Sequence, residues 1–131
     1  MANKRMFSLS ITDSDAFLSL PLTTQALYFH LGMRADDRGY VDKPVAILKM
    51  VSATNGDMEN LISKKFVLFR ANGLVLIKHW NLNNTLRKDR LKETTYKEDL
   101  TTLYLDENNS YTEKETPIRA IEMKGENNDK E

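Results

Sequence analysis

Residues 54–78 read TNGDMENLISKKFVLFRANGLVLIK, and the fold follows from how that stretch divides. Thr54, followed three residues later by Asp57, is close to a capping box, in which a hydroxyl and a carboxylate satisfy the first free N–H groups of a helix. The spacing predicts a helix over 55–65 that turns Met58, Leu61 and Ile62 to a core and Asn55, Glu59, Asn60 and Ser63 to water. Lys64 and Lys65 fall at its C-terminal end, where the helix dipole favours positive charge. Phe66–Arg70 and Leu74–Lys78 are then two β-branched and aromatic runs separated by Ala71, Asn72 and Gly73. An Asn-Gly pair accepts the positive φ of a tight turn, so the runs predict a hairpin lying mostly against helices.

Upstream, Lys43 to Val51 predicts a helix with Pro44 in its first turn, where the missing N–H costs nothing, and with Ile47, Leu48 and Val51 facing inward. Only a few small and polar residues separate it from the helix at 55–65, so the two turn sharply and pack as neighbours. A further helix runs from Thr23 or Thr24 to Met33, with Leu27, Tyr28 and Leu31 at helical spacing and Ala26 small enough to let a neighbouring helix approach. Before it, Asp13 to Leu20 reads as a short helix capped by Asp13 and stopped by Pro21. Asp36 to Gly39 predicts a turn, and Tyr40 with Val41 a brief strand.

Downstream, Trp80 ends the apolar run and anchors the chain to the helices. A polar stretch to Asn84 and a charged stretch to Glu93 lead into a helix predicted over 95–105. Residues 113–131 hold few apolar anchors and predict an acidic disordered tail. The order helix, helix, strand, helix, helix, hairpin predicts a mainly α fold with a small β hairpin (α+β), a winged helix-turn-helix over 1–112 with a C-terminal extension helix.

The 131 residues leave room for one small domain. Formal charge is zero, with 19 basic against 19 acidic side chains, but it is split: residues 1–92 are net +6 and residues 93–131 net −6. The absence of cysteine excludes disulfides and thiolate metal sites. The polar run from Ala2 to Arg5 offers no apolar leader, and no stretch is apolar enough for a membrane, so a cytoplasmic location is expected.

Catalytic patterns are sparse. His30 and His79 lie far apart with no thiolate beside them, and a metal site would need remote carboxylates. Asp106, Asn108, Ser110 and Thr112 are spaced like the start of a calcium loop, but Tyr111 stands where that loop needs glycine and Pro117 where it needs a bidentate Glu. Asp13 with Asp15, and Asp36 with Asp37, suit cap and turn duty. There is no phosphate loop, dinucleotide fingerprint or serine elbow. The expectation is a protein that is not an enzyme and carries no cofactor or metal.

Nucleic acid is the partner this pattern favours. A helix in a major groove reads base edges with amide, hydroxyl and basic side chains while surrounding cations bond phosphates. Asn55, Glu59, Asn60, Ser63 and Lys64 supply such a face on the helix at 55–65, although an ordinary solvated helix would carry the same residue types. Arg70, Asn72 and Lys78 sit on the hairpin, where a protruding arginine enters a minor groove. Lys4, Arg5, Lys65, Arg87, Lys88, Arg90 and Lys92 are the expected phosphate contacts of a salt-dependent surface. A module for protein assembly competes with this reading, its oligomer seam being Tyr96, Leu100, Leu103 and Tyr104 on one side of the helix at 95–105.

Met6-Phe7, Ile11-Thr12-Asp13, Leu20-Pro21-Leu22, the run Gln25 to Leu31 and Ala35-Asp36-Asp37 with Gly39 together resemble the N-terminal, DnaD-like winged-helix domain of phage replisome organisers, the replication initiation proteins of phages and prophages of Gram-positive bacteria. The likeness continues through Val75 to Trp80, Arg87 to Arg90, Thr94 with Tyr96 and Asn109 with Tyr111. It implies binding of origin DNA, duplex or single-stranded, through residues 55–64 and the hairpin, self-association into a homo-oligomer, and no catalytic residues. It also implies a C-terminal region that recruits the host helicase or its loader. The expectation here is that this region is missing or reduced to a peptide, leaving open a winged-helix transcriptional or replication regulator without a loading role.

Overall fold

The computed structural model describes residues 4–85, 89–114 and 119–121. Seven helices and two small antiparallel sheets make an α+β domain among these residues. Two helical turns come first, α1 (Leu9–Thr12) and α2 (Asp15–Leu18), then α3 (Leu22–Met33), β1 (Tyr40–Val41), α4 (Pro44–Met50) and α5 (Asn55–Ser63). The hairpin is β2 (Val67–Phe69) and β3 (Val75–Ile77), joined through a 3-10 turn at Ala71–Gly73. After it come α6 (Trp80–Asn83), α7 (Lys97–Leu100), β4 (Tyr104–Leu105), β5 (Tyr111–Thr112) and β6 (Arg119–Ala120).

The first sheet has the order β1-β3-β2, with Tyr40 opposite Leu76 and Val67 opposite Ile77. Its central strand β3 is buried along its length, as a short unbroken Val-Leu-Ile run requires. Helix α3 packs on α4 and α5, and α5 lies against the β2 edge. The aromatic rings of Phe7, Phe17, Tyr28 and Phe66 meet edge to face or tilted, at centroid separations of 5.2–6.0 Å, and join the N-terminal turns to α3 and β2. Asn83 accepts from the Ser8 N–H at 2.8 Å and donates to the Tyr28 hydroxyl at 2.9 Å, pinning the start of the chain to α6.

The second sheet, β5-β4-β6, closes on the first through Tyr111, whose N–H donates to the Lys78 carbonyl and whose hydroxyl donates to the Arg38 carbonyl. Three expectations change here. The helix predicted over 95–105 is a single turn, α7, followed by extended chain. Thr101 and Thr102 are β-branched, and their hydroxyls bond back to the Glu98 and Asp99 carbonyls, which ends the helix early. The short helix predicted over Asp13 to Leu20 is the single turn α2, capped by Ser14 and not by Asp13, and a further turn that was not expected, α1, capped by Ser8, precedes it. Within the predicted tail, Arg119–Ala120 pairs with β4 and Ile121 packs against the core, so 113–131 is not uniformly tail. Residues 115–118 and 122–131 of that stretch lie outside the described residues.

Gly39 combines a positive φ with a close neighbour. Its φ is +99°, and an added Cβ would stand 2.7 Å from Trp80 Cγ. Gly39→Ala therefore meets both a disfavoured backbone region and a packed indole, and we expect a loss of roughly 2–3 kcal/mol in urea unfolding. An alanine variant within about 0.5 kcal/mol of wild type would show that the Trp80 contact yields freely.

Candidate nucleic-acid interface

Helix α5 begins with the capping box read from the sequence. Thr54 Oγ1 accepts the Asp57 N–H at 3.2 Å, and Asp57 Oδ2 accepts the Thr54 N–H at 3.0 Å. Asp57 is buried, and its Oδ1 also accepts from the Thr23 and Thr24 hydroxyls at 2.9 and 2.8 Å, locking the start of α5 to the start of α3. Asn60 is drawn into the same cluster, its amide donating to Thr24 Oγ1 at 3.1 Å. What the helix leaves in solvent is Asn55, Glu59 and Ser63, one face at four-residue spacing, with Lys64 and Lys65 at its end. Asn60, expected among the base readers, has its amide engaged inside the domain.

The hairpin differs more from expectation. Asn72 is exposed at the tip with φ 63°, as its turn role requires. Arg70 does not protrude. It is buried, with Nε donating to Asp99 Oδ2 at 2.9 Å, one terminal nitrogen to Thr102 Oγ1 at 2.9 Å and the other to Glu113. Burial works against its charge, and Asp99 and Glu113 more than restore it, so the guanidinium holds its proton more firmly than usual. Asp99 also accepts the Tyr40 hydroxyl at 2.6 Å. Lys78 is half-buried and donates to the Tyr111 carbonyl at 2.6 Å, and burial lowers its pKa. His79 beside it is pushed down to about 4, by burial first and by Lys78 second, so its imidazole is neutral at pH 7. Arg70 and Lys78 tie the hairpin to the C-terminal strands.

The expected phosphate contacts separate. Lys4, Lys65, Arg90 and Lys92 are exposed. Arg5 is not free: its side chain is 4% exposed, paired with Asp37 and laid over the Trp80 ring. Arg87 and Lys88 lie outside the described residues. Lys92 lines a hollow with Asp36, Asp37, Asp42 and Glu93 beside Tyr40 of β1. Since α5 packs at the β2 edge and β1 forms the other edge, Lys92 and α5 flank opposite margins of the sheet.

The oligomer seam also changes. Leu100 and Leu103 are completely buried in the chain's own core, and Tyr96 and Tyr104 are half-buried, so no exposed stripe of these four exists.

No family model, curated protein or solved structure matches the chain.

Two features of the surface escape a reading by residue type. Phe69, in an apolar run expected to face helices, is 61% exposed, because β2 carries the chain from the core out to the turn. Lys43 and Lys49, at the two ends of α4, are exposed and form no ion pair among the described residues, as is true of Lys64 and Lys65. Among the described residues no group of three or more His, Asp or Glu gathers as a metal would require, and no helix is long and apolar enough to cross a membrane.

Proposed function

We propose that this domain is a winged helix-turn-helix that binds DNA through α5 and the tip of the β2–β3 hairpin. The observation that carries the reading is the run α3, β1, α4, α5, β2, β3 with sheet order β1-β3-β2, which sets a helix with a polar, solvent-facing side next to a two-stranded wing. In this role Asn55, Ser63 and Glu59 face base edges, Glu59 as an acceptor for cytosine N4, while Lys43, Lys49, Lys64 and Lys65 neutralise phosphates. Arg70 braces the wing from inside. On the sequence resemblance, the protein is the origin-binding part of a phage or prophage replication initiation protein, with recruitment of a host helicase or loader left to a further region. A winged-helix regulator would use the same surface on a different target.

Fluorescence anisotropy across a salt series tests this with duplex and single-stranded probes. Replacing Lys64 and Lys65 together by alanine should lower the salt slope by about 2 and weaken every duplex alike. Unchanged affinity and slope would remove α5 from the interface. Exposed Phe69 favours a contribution to single strands by stacking, so Phe69→Ala should weaken a single-stranded probe by about 1–3 kcal/mol and spare the duplex.

A further inference from the structure

Asparagine followed by glycine occurs at Asn55-Gly56, in the first turn of α5, and at Asn72-Gly73, at the tip of the β2–β3 hairpin. In such a pair the side-chain amide is open to attack by the chain itself, because glycine has no Cβ to keep its backbone nitrogen away from the preceding side chain. The nitrogen reaches the asparagine Cγ only if the backbone between them can rotate, so the surrounding structure decides which pair reacts. At Asn55 that rotation is blocked. It would unwind the start of α5 and pull apart the Thr54–Asp57 capping box, whose carboxylate is also held by Thr23 and Thr24. Asn72 is restrained far less. It stands exposed between exposed Ala71 and Gly73, and its carboxamide makes no hydrogen bond among the described residues. The turn around it is closed by a long bond, the Leu74 N–H donating to the Ala71 carbonyl at 3.3 Å. A Cβ built on Gly73 would meet nothing within 4 Å, so that side of the backbone is open. Asn72 also lines a hollow of about 560 Å³ that has Lys97, Glu98 and Asp99 on its other wall, which leaves room for water to enter.

The structure assigns Asn72-Gly73 as a self-modifying site that sets a negative charge on the wing. The Gly73 nitrogen gives up its proton to hydroxide and forms a bond to Asn72 Cγ. The bond from Cγ to Nδ2 then breaks, the side-chain nitrogen leaves as ammonia, and a cyclic imide remains. Water adds to either imide carbonyl and breaks its bond to the ring nitrogen. Opening at the side-chain carbonyl gives aspartate and opening at the backbone carbonyl gives isoaspartate, so each product carries a carboxylate where a neutral amide stood. Aspartate accepts the left-handed φ of 63° much as asparagine does, so the hairpin survives that outcome, whereas isoaspartate lengthens the backbone of the turn. The consequence for binding rests on the function proposed above. If the hairpin tip lies against DNA, a carboxylate there opposes the phosphates until salt screens it, and the wing loosens its hold as the protein ages. Water and hydroxide are the only co-reactants the sequence of steps requires.

Incubation of the full chain in mildly alkaline buffer, followed by cation-exchange chromatography and peptide mapping by mass spectrometry, tests the assignment. A species with one positive charge fewer should accumulate, faster as hydroxide rises, with aspartate and isoaspartate in place of Asn72 and with Asn55 intact. In urea, where the fold is gone, the two pairs should convert at similar rates. Asn72→Gly keeps the positive φ of the turn and should abolish the new species. Absence of conversion at Asn72, conversion of Asn55 as fast in the folded chain, or the same preference for Asn72 in urea overturns the proposal. For the effect on binding, Asn72→Asp and the converted wild type should hold a duplex about fivefold more weakly than fresh protein at low salt and equally at high salt. Unchanged low-salt affinity, in a protein that loses binding when Lys64 and Lys65 are replaced, overturns the effect of the charge and leaves the DNA reading standing. If fresh wild type binds no duplex at all, the DNA reading falls and takes the effect on affinity with it, while the chemistry at Asn72 is still decided by the peptide map.

Discussion

Asp37→Ala is expected to cost about 3–5 kcal/mol in urea unfolding, much of the stability of a domain this size. Asp37 and Arg5 form an ion pair at 2.9 Å with side chains only 2% and 4% exposed. The arginine also donates to the Ala35 carbonyl at 2.7 Å, and its guanidinium lies 5.0 Å from the Trp80 ring centre. The other Asp37 oxygen accepts the Lys92 N–H at 2.8 Å, and the Asp37 carbonyl accepts the Trp80 indole N–H at 3.0 Å. Four separate stretches of chain therefore meet at this residue. Removing the carboxylate leaves a guanidinium buried with no counter-charge and a backbone donor with no acceptor, and desolvation of the unpaired charge dominates the loss. Arg5→Met with Asp37→Leu should recover a large part of it, because the double change removes both charges and keeps volume. If Asp37→Ala cost less than about 1 kcal/mol, water would be reaching the arginine and the pair would not be the N-terminal anchor.

The elements legible in the sequence are those whose cause is local. Thr54 and Asp57 announce the start of α5 three residues apart, Pro44 marks the first turn of α4, and Asn72 with Gly73 takes the positive φ of the hairpin turn. The core faces of α3 and α5 follow from helical periodicity, with Leu27, Tyr28, Leu31 and Leu61 all buried. What escaped is what depends on partners distant in the chain. Arg70 looks like a wing cation until Asp99, Thr102 and Glu113, 29 to 43 residues away, are seen to hold it. Arg5 looks like a phosphate contact until Asp37 and Trp80 enclose it. A tally of basic residues cannot separate a cation that faces solvent from one already neutralised. Leu100 and Leu103 show the reverse error: their spacing suits a helix face, but Thr101 and Thr102 break the helix and both leucines turn inward. Ala26, small enough to suggest the approach of a neighbouring helix, is instead exposed on the outer side of α3.

Asp57→Ala is expected to cost about 3 kcal/mol at pH 7, since it removes three bonds to a buried carboxylate, one of them the Asp57 half of the α5 capping box. The pH dependence identifies the cause. Burial alone raises the Asp57 carboxyl, but the bonds from the Thr54 N–H and the Thr24 and Thr23 hydroxyls outweigh it and hold the group below the ordinary carboxylate range. A group whose folded pKa is depressed adds stability above its unfolded value, near 4, and loses it as pH falls through the folded value. The gap between wild type and Asp57→Ala should therefore stay constant from pH 7 to about pH 5 and narrow below about pH 4. A gap that persisted undiminished to pH 2 would assign the loss to packing and sink the carboxylate's role. Because Asp57 joins the first turns of α3 and α5, the same substitution should loosen the helix proposed to meet DNA. Duplex affinity should then fall together with hydrogen-exchange protection of α5, while the exposed side chains Asn55, Glu59 and Ser63 remain chemically unchanged. Retained affinity with α5 unprotected would mean that the helix does not dock as a rigid element.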